Sequence, residues 1–265
     1  MLEHLFPNQL APDQLTRGAV ECLTAALTAL AVLLLARRRA PGLLREVSLA
    51  QLRGVLQIVA VGAILAALLH GPPWTSIFVL AGMILAAASI VRKRAKKIPG
   101  AFVLALIAIG TGAGTILTVM TLTGVIPLKI LTLIPVGSMV IANTMNTQSI
   151  FLDRFKGEVV AHVGEIESAL ALGATSNAAV DRYLATAFRS SLIPAVDNIR
   201  SLGIVWIPGI MAGMVLSGAS PLYAALYQFV VLATIFSSSA LACFVASHLV
   251  AGRIFSAHDQ LLLRA

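Results

Sequence analysis

Long apolar runs separated by short basic segments dominate the chain. Seven of them approach the roughly 20 residues a helix needs to cross a hydrocarbon core. They are Ala19–Ala36, Gly54–His70, Trp74–Val91, Ala101–Thr123, Leu128–Ile150, Leu202–Ser217 and Leu222–Val250. The sixth is short and broken by Pro208-Gly209. It therefore predicts a kinked or re-entrant element, whose freed backbone groups are satisfied by protein or a wet cavity. One polar connection is long, Phe151–Ser201. Inside it apolar residues recur at helical spacing, in Ile166, Ala169, Leu170 and Gly173 and again in Val180, Leu184, Ala187 and Phe188. The pattern predicts an all-α integral membrane protein with a single transmembrane domain over 1–265. A bundle of about seven transmembrane helices carries a helical cytoplasmic loop, about 151–201, between spans five and six.

Composition strengthens this picture. The 265 residues are 58% hydrophobic and 11% charged, whereas a soluble domain carries about 25% charged residues. So few charges cannot coat a water-soluble body, and lipid is the expected solvent. A net charge of +8 alone would suit nucleic acid, but the basic residues sit in clusters between apolar runs, so no nucleic-acid partner is expected. The clusters are Arg37–Arg39 with Arg45 and Arg53, Arg92–Arg94 with Lys96 and Lys97, Arg154 through Arg200, and Arg253 with Arg264. With seven spans, 17 of the 19 Lys and Arg fall on one side and only Arg17 and Lys129 on the other. The positive-inside rule then predicts the N-terminus outside, the C-terminus in the cytoplasm and a multi-pass location in the cell's inner membrane. The residues before Ala19 lack the positive start of a cleavable signal, so the first run reads as a retained span.

Candidate chemistry is sparse. No phosphate-binding loop of the G-x-x-x-x-G-K-[ST] type occurs, so the chain is not expected to hydrolyse ATP by itself. No acid lies between Glu46 and Asp153, which disfavours an ion-coupled carrier with midplane carboxylates. Met139, Asn143 and Asn146 share one face of the fifth run, flanked by Met145 and Gln148. Asn is costly in lipid, so this face points into the bundle, as an interhelical clamp or as part of a substrate path. Met211 and Met214 follow the Pro208-Gly209 break. Thioethers suit soft metals, but Met is more often packing, and whether a metal is bound is left open. Gln57 and Gln228 are further amides expected to be buried, and Cys22 and Cys243 read as small buried hydrophobes. Thr111, Thr115 and Thr118, beside Gly110 and Gly114, predict close helix packing. Neither His70 nor His248 has metal-ligand spacing. A serine protease built on Ser217, Ser220 and His248 has no residue arrangement in its favour. Glu167–Gly173 (ESALALG) fits E-A-A-x-x-x-G with Ser168 at the first Ala, the pattern of a helix and turn that docks on an ATPase.

Several of these motifs converge. Ile134-Pro135-Val136-Gly137-Ser138-Met139 with Asn143-Thr144-Met145-Asn146, Ile166–Thr175 (IESALALGAT), Gly203–Pro221, Tyr227-Gln228 and the Arg53/Gln57 pair together resemble the FetB-type iron-export permeases. That family also includes plant aluminium-tolerance permeases associated with nucleotide-sugar. Two departures stand out: Gly209-Ile210-Met211-Ala212-Gly213-Met214 replaces the family's G-M-M-T-G-Q, and Ala142-Asn143 replaces its G-N. The resemblance implies the membrane half of an ABC transporter, a transport subunit and not an enzyme. It would pair as a homodimer and work with a separate ATPase subunit that holds ATP and magnesium. No cofactor is expected in this chain. It further implies ATPase coupling through Glu165, Glu167, Ala169 and Gly173. The implied substrate path, with iron as cargo, runs past Met139, Asn143, Met145, Asn146, Met211, Met214, Gln228 and Gln57.

Overall fold

In the computed structural model the described residues are 12–36, 42–68, 72, 74–95, 98–256 and 260–263. Arg37–Arg39, His70, Lys96, Lys97 and Arg264 lie outside them. The chain forms two compact units, Met1–Pro72 and Pro73–Ala265. The first holds α1 (Pro12–Ala36) and α2 (Leu43–Leu68), which pack on one another. Their apolar side chains are largely exposed, as lipid-facing helices require. Cys22 and Gln57 are among the exposed residues, so neither is the buried group the sequence suggested.

The second unit contains α3 (Thr75–Arg94), α4 (Ala101–Leu122), α5 (Ile130–Ala161), α6 (Val163–Ala171), α7 (Ser176–Ser201), α8 (Gly209–Leu216) and α9 (Pro221–Ala251). Among the described residues of both units, six helices are long and apolar enough to cross a membrane: α1 to α5 and α9. The run Leu202–Ser217 is not one of them. Gly203 takes a φ of 74°, Pro208 opens a new helix, and α8 has only eight residues. At 1.5 Å per residue it is about 12 Å long, far short of a 30 Å hydrocarbon core.

Helices α5 and α9 are the hubs. α5 lies against α3, α4, α7 and α9, and α9 lies against α4, α5, α7 and α8. Half of each hub's most apolar stretch is buried, and both present small or apolar residues on several faces. The α4–α9 seam is set by Gly112: a Cβ there would stand 2.7 Å from Ala242 Cβ and 2.7 Å from the Ser238 carbonyl. The close approach therefore runs through Gly112, not through the stripe expected from the sequence. Thr111, Thr115 and Thr118 are exposed, and Gly110 and Gly114 have open space before them. Thr111 satisfies its hydroxyl on its own helix, at the Ile107 carbonyl. Gly137 makes the equivalent close contact between α5 and Leu80 of α3.

Two interactions fix levels along the bundle. Arg253, just past α9, donates to the Gly100 carbonyl at the start of α4, 2.7 Å away. The end of α9 and the α3–α4 connection therefore share one end of the unit. Deeper in, the hydroxyls of Thr144 on α5 and Ser238 on α9 are hydrogen-bonded at 2.8 Å. An interhelical clamp thus exists on α5, formed by Thr144 and not by the neighbouring asparagines.

The long polar connection is helical. α5 continues through Asp153, Arg154, Lys156 and Glu158 to Ala161, and α6 and α7 follow. α7 then turns back along α5 and α9. Its Ser191 hydroxyl lies 3.8 Å from Cys243 Sγ of α9, and both residues are buried.

Candidate functional site

At one end of this arrangement α5, α7, α8 and α9 enclose a cavity of about 110 Å³. α5 contributes Met139 and Asn143, α7 contributes Ala195 and Asn198, and α9 contributes Gln228, Leu232 and Ile235. The break before α8 supplies Trp206 and Pro208, and the start of α8 supplies Gly209 and Ile210. That break is shaped by local chemistry. Gly203 donates its N–H to the Trp206 carbonyl at 3.1 Å, and Trp206 Nε1 donates to Ser201 Oγ at 3.1 Å. These bonds fold the chain back and place the indole at the cavity.

The lining is neutral and rich in amides. Asn143 donates Nδ2 to the Met139 carbonyl at 2.8 Å, which leaves its Oδ1 as an acceptor. Gln228 is buried, and its side-chain carbonyl oxygen has no hydrogen-bond partner. A buried acceptor without a partner is expensive in a protein interior, and in a cavity it marks a place for water or a ligand donor. Together the amides, the Met139 thioether and the Trp206 ring form a small pocket of mixed polarity inside an apolar bundle. Among the described residues, no three His, Cys, Asp or Glu converge to hold a metal ion.

The structure therefore brings together Met139, Asn143 and Gln228 of the expected path. Met145 packs against the hydrophobic core, Asn146 is exposed, and Met211 and Met214 are half-buried on α8 outside the cavity. Asn198 and Trp206 were not singled out from the sequence. The first lies in a segment read as cytoplasmic, and the second in the short run expected to be kinked or re-entrant. The protease arrangement fails on geometry: Ser220 caps the start of α9, while His248 lies 28 residues, roughly 42 Å, further along the same helix.

The expected ATPase-coupling residues form a second feature, at the start of α7. α6 ends on Gly173, whose φ is 89°. Gly173 N–H bonds the Leu170 carbonyl and Ala174 N–H bonds the Ala169 carbonyl, each at 3.0 Å. This is the Schellman helix stop, which needs a left-handed residue at its glycine. Leu172, immediately before it, is 90% exposed. Thr175 then caps α7 by accepting from Ala178 N–H. Glu165 on α6 accepts a hydrogen bond from the Tyr183 hydroxyl at 2.9 Å and pairs with Arg182 at 3.4 Å. The Tyr183 ring stacks on His162 with centroids 4.9 Å apart. These contacts tie α6, the end of α5 and the start of α7 into one piece. Glu167 is exposed, and Ala169 packs inward on the core.

Comparison with known proteins decides the family. The model of uncharacterised protein family UPF0014 matches residues 19–255. The chain belongs to the UPF0014 family. Relatives within it include the UPF0014 membrane protein YjkA of Bacillus subtilis, 33% identical over 88% of this chain and 93% of that protein. The probable iron export permease protein FetB of Escherichia coli is 31% identical over 65% of this chain and 66% of its own length. The UPF0014 membrane protein STAR2 of Oryza sativa is 29% identical over 83% and 78%. No solved structure matches the chain. The UPF0014 match covers both units described above and both features of the second. This chain is thus a multi-pass, all-α UPF0014 membrane protein.

Proposed function

We propose that this protein is the permease subunit of an ABC transporter, moving a small solute across the cell's inner membrane. One observation carries the proposal: a single helix, α7, links the exposed α6–α7 turn to the amide cavity. Its first turns are tied to α6 through Glu165, Arg182 and Tyr183, and its last turns supply Ala195 and Asn198 to the cavity. A push on the turn would be transmitted along a helix about 39 Å long to the residues that face the solute. A separate ATPase subunit, holding ATP and magnesium, would supply that push by docking on Glu167, Leu172 and Gly173. Two copies of this chain would form the path.

The topology supports this orientation. The Arg253–Gly100 contact sets the end of α9 beside the start of α4, and in this reading α7 and α8 together return the chain across the membrane as a composite seventh crossing. The basic residues then collect on the ATPase side, with the N-terminus outside and the C-terminus cytoplasmic. The name of the Escherichia coli relative supports iron as the cargo, held by neutral amide oxygens and the Met139 thioether. Co-purification of the detergent-solubilised protein with the candidate ATPase tests the proposal. Stable association that Glu167→Lys with Gly173→Val abolishes in a folded protein is expected. No association with any ATPase would shift the function to an autonomous carrier.

A further inference from the structure

The outward faces of the membrane-spanning helices in the second unit are apolar, carrying Ile77, Phe78, Val103, Ile107, Phe229 and Phe244 exposed. The outward face of α7 is different. Arg182, Arg189, Asp197 and Arg200 are all exposed on it. Its depth follows from Ser191, which touches Cys243. Cys243 is eight residues, roughly 12 Å, inside the end of α9, where Arg253 and Gly100 meet. Arg189, half a turn before Ser191, therefore stands roughly 9 Å inside that end. A groove of about 550 Å³ lies in front of it, bordered by Phe188, Ile193, Asp197, Arg200 and Phe236.

Charge on this face is unevenly matched. Arg182 pairs with Glu165, and Arg200 lies 3.8 Å from Asp197. Arg189 has no ion pair among the described residues. The acids within 98–256 are Asp153, Glu158, Glu165, Glu167, Asp181 and Asp197, and none of them forms an ion pair with Arg189. Asp197 is two turns away from Arg189, roughly 12 Å along the helix, and engaged with Arg200. A second copy related by a twofold axis along the membrane normal would bring another Arg189, not a carboxylate, to the same level. A guanidinium left unpaired against lipid tails is among the costliest placements in a membrane protein, and such residues line aqueous routes.

We propose that the outer face of α7 is a water-filled wall of the transport path, and that Arg189 makes this path one for solutes of net negative charge. This deepens the permease proposal and rests on it. A metal cargo would pass Arg189 inside a ligand shell that leaves the complex anionic, since a bare cation is repelled there. The neutral amide cavity then meets the solute further along α7, beside Asn198.

Thiol labelling tests this in membranes. The background is the full chain with Cys22→Ser and Cys243→Ala, carrying Ile193→Cys, one helical turn beyond Arg189 on the same face. Ala185→Cys, one turn before it, is the second probe should the first misfold. Ile107→Cys on the exposed apolar side of α4 is the control. Two membrane-impermeant methanethiosulfonates are used, one anionic (sulfonatoethyl) and one cationic (trimethylammonioethyl). The expected result is labelling at 193 or 185 and none at 107, with the anionic reagent favoured at least about threefold after correction for intrinsic reactivity. Arg189→Gln is expected to remove that preference while labelling continues. Labelling with no charge preference overturns the anion assignment. No labelling of either probe, or a disulfide between two copies that excludes both reagents, overturns the water-filled wall. Loss of ATPase association leaves the labelling pattern untouched, so failure of the permease proposal is separately visible.

Discussion

Replacing Gln228 with Leu separates a functional amide from a structural one. Gln228 is 1% exposed, borders the cavity, and its side-chain carbonyl oxygen has no partner. Burying such a group without a hydrogen bond costs about 1–3 kcal/mol. Leu has similar bulk and removes that cost, so Gln228→Leu is expected to stabilise the empty protein by about 1–3 kcal/mol. Each kcal/mol shifts the melting temperature of a chain of this size by about 2–4 °C. The expected rise is therefore about 2–12 °C, read by tryptophan fluorescence of the detergent-purified protein. The same change deletes an acceptor at the solute cavity. A lost hydrogen bond worth about 1.4 kcal/mol is a tenfold loss of affinity, so transport at limiting solute should fall about tenfold. Stability and activity move in opposite directions, as at sites kept for function at the expense of stability. A variant that melts several degrees lower with transport intact would refute the reasoning and make Gln228 a helix clamp.

The neighbouring asparagines should divide. Asn143→Leu is expected to lower transport about tenfold or more, whereas Asn146→Leu, outside the cavity, changes it less than twofold in the same flux assay. Leu172→Asp should weaken ATPase association about tenfold without lowering the melting temperature, because Leu172 is exposed; unchanged binding in a pull-down would remove the α6–α7 turn from the interface. Gly112→Ala is expected to destabilise by about 1–3 kcal/mol through overpacking against Ala242 and the Ser238 carbonyl. Gly110→Ala and Gly114→Ala, with open space before them, should leave the melting temperature within about 2 °C.

What could be read from the sequence follows from the physics of lipid. Where a helix faces hydrocarbon, the apolar run and the helix nearly coincide: Ala101–Thr123 became α4 (Ala101–Leu122), and Leu222–Val250 became α9 (Pro221–Ala251). Hydropathy says less where one face of a helix is polar. Asp181, Arg182, Arg189, Asp197 and Arg200 pull the average of α7 down, so it reads as a polar connection, and only the helical spacing of Val180 and Ala187 betrays the face that they bury with Tyr183 and Leu192. The converse happened at Leu202–Ser217, where an apolar run hides a turn at Gly203 and a helix too short to span. Period 3.6 placed Met139 and Asn143 together correctly. It could not tell that the next asparagine, at 146, looks outward, because the spacing fixes a face of α5 and not its neighbours. Gly173 closes the helix-and-turn pattern Glu167–Gly173, and its φ of 89° is one that glycine adopts without strain.

Solute flux in proteoliposomes, with this chain reconstituted alone and together with its ATPase, tests the central claim most directly. Ferrous ion and anionic ferric citrate serve as probes, each with and without ATP and magnesium. Flux that requires both chains and ATP, and that Asn143→Leu removes while the two subunits remain associated, is the predicted result. Equal flux from this chain alone, with no ATPase and no ATP, would contradict it.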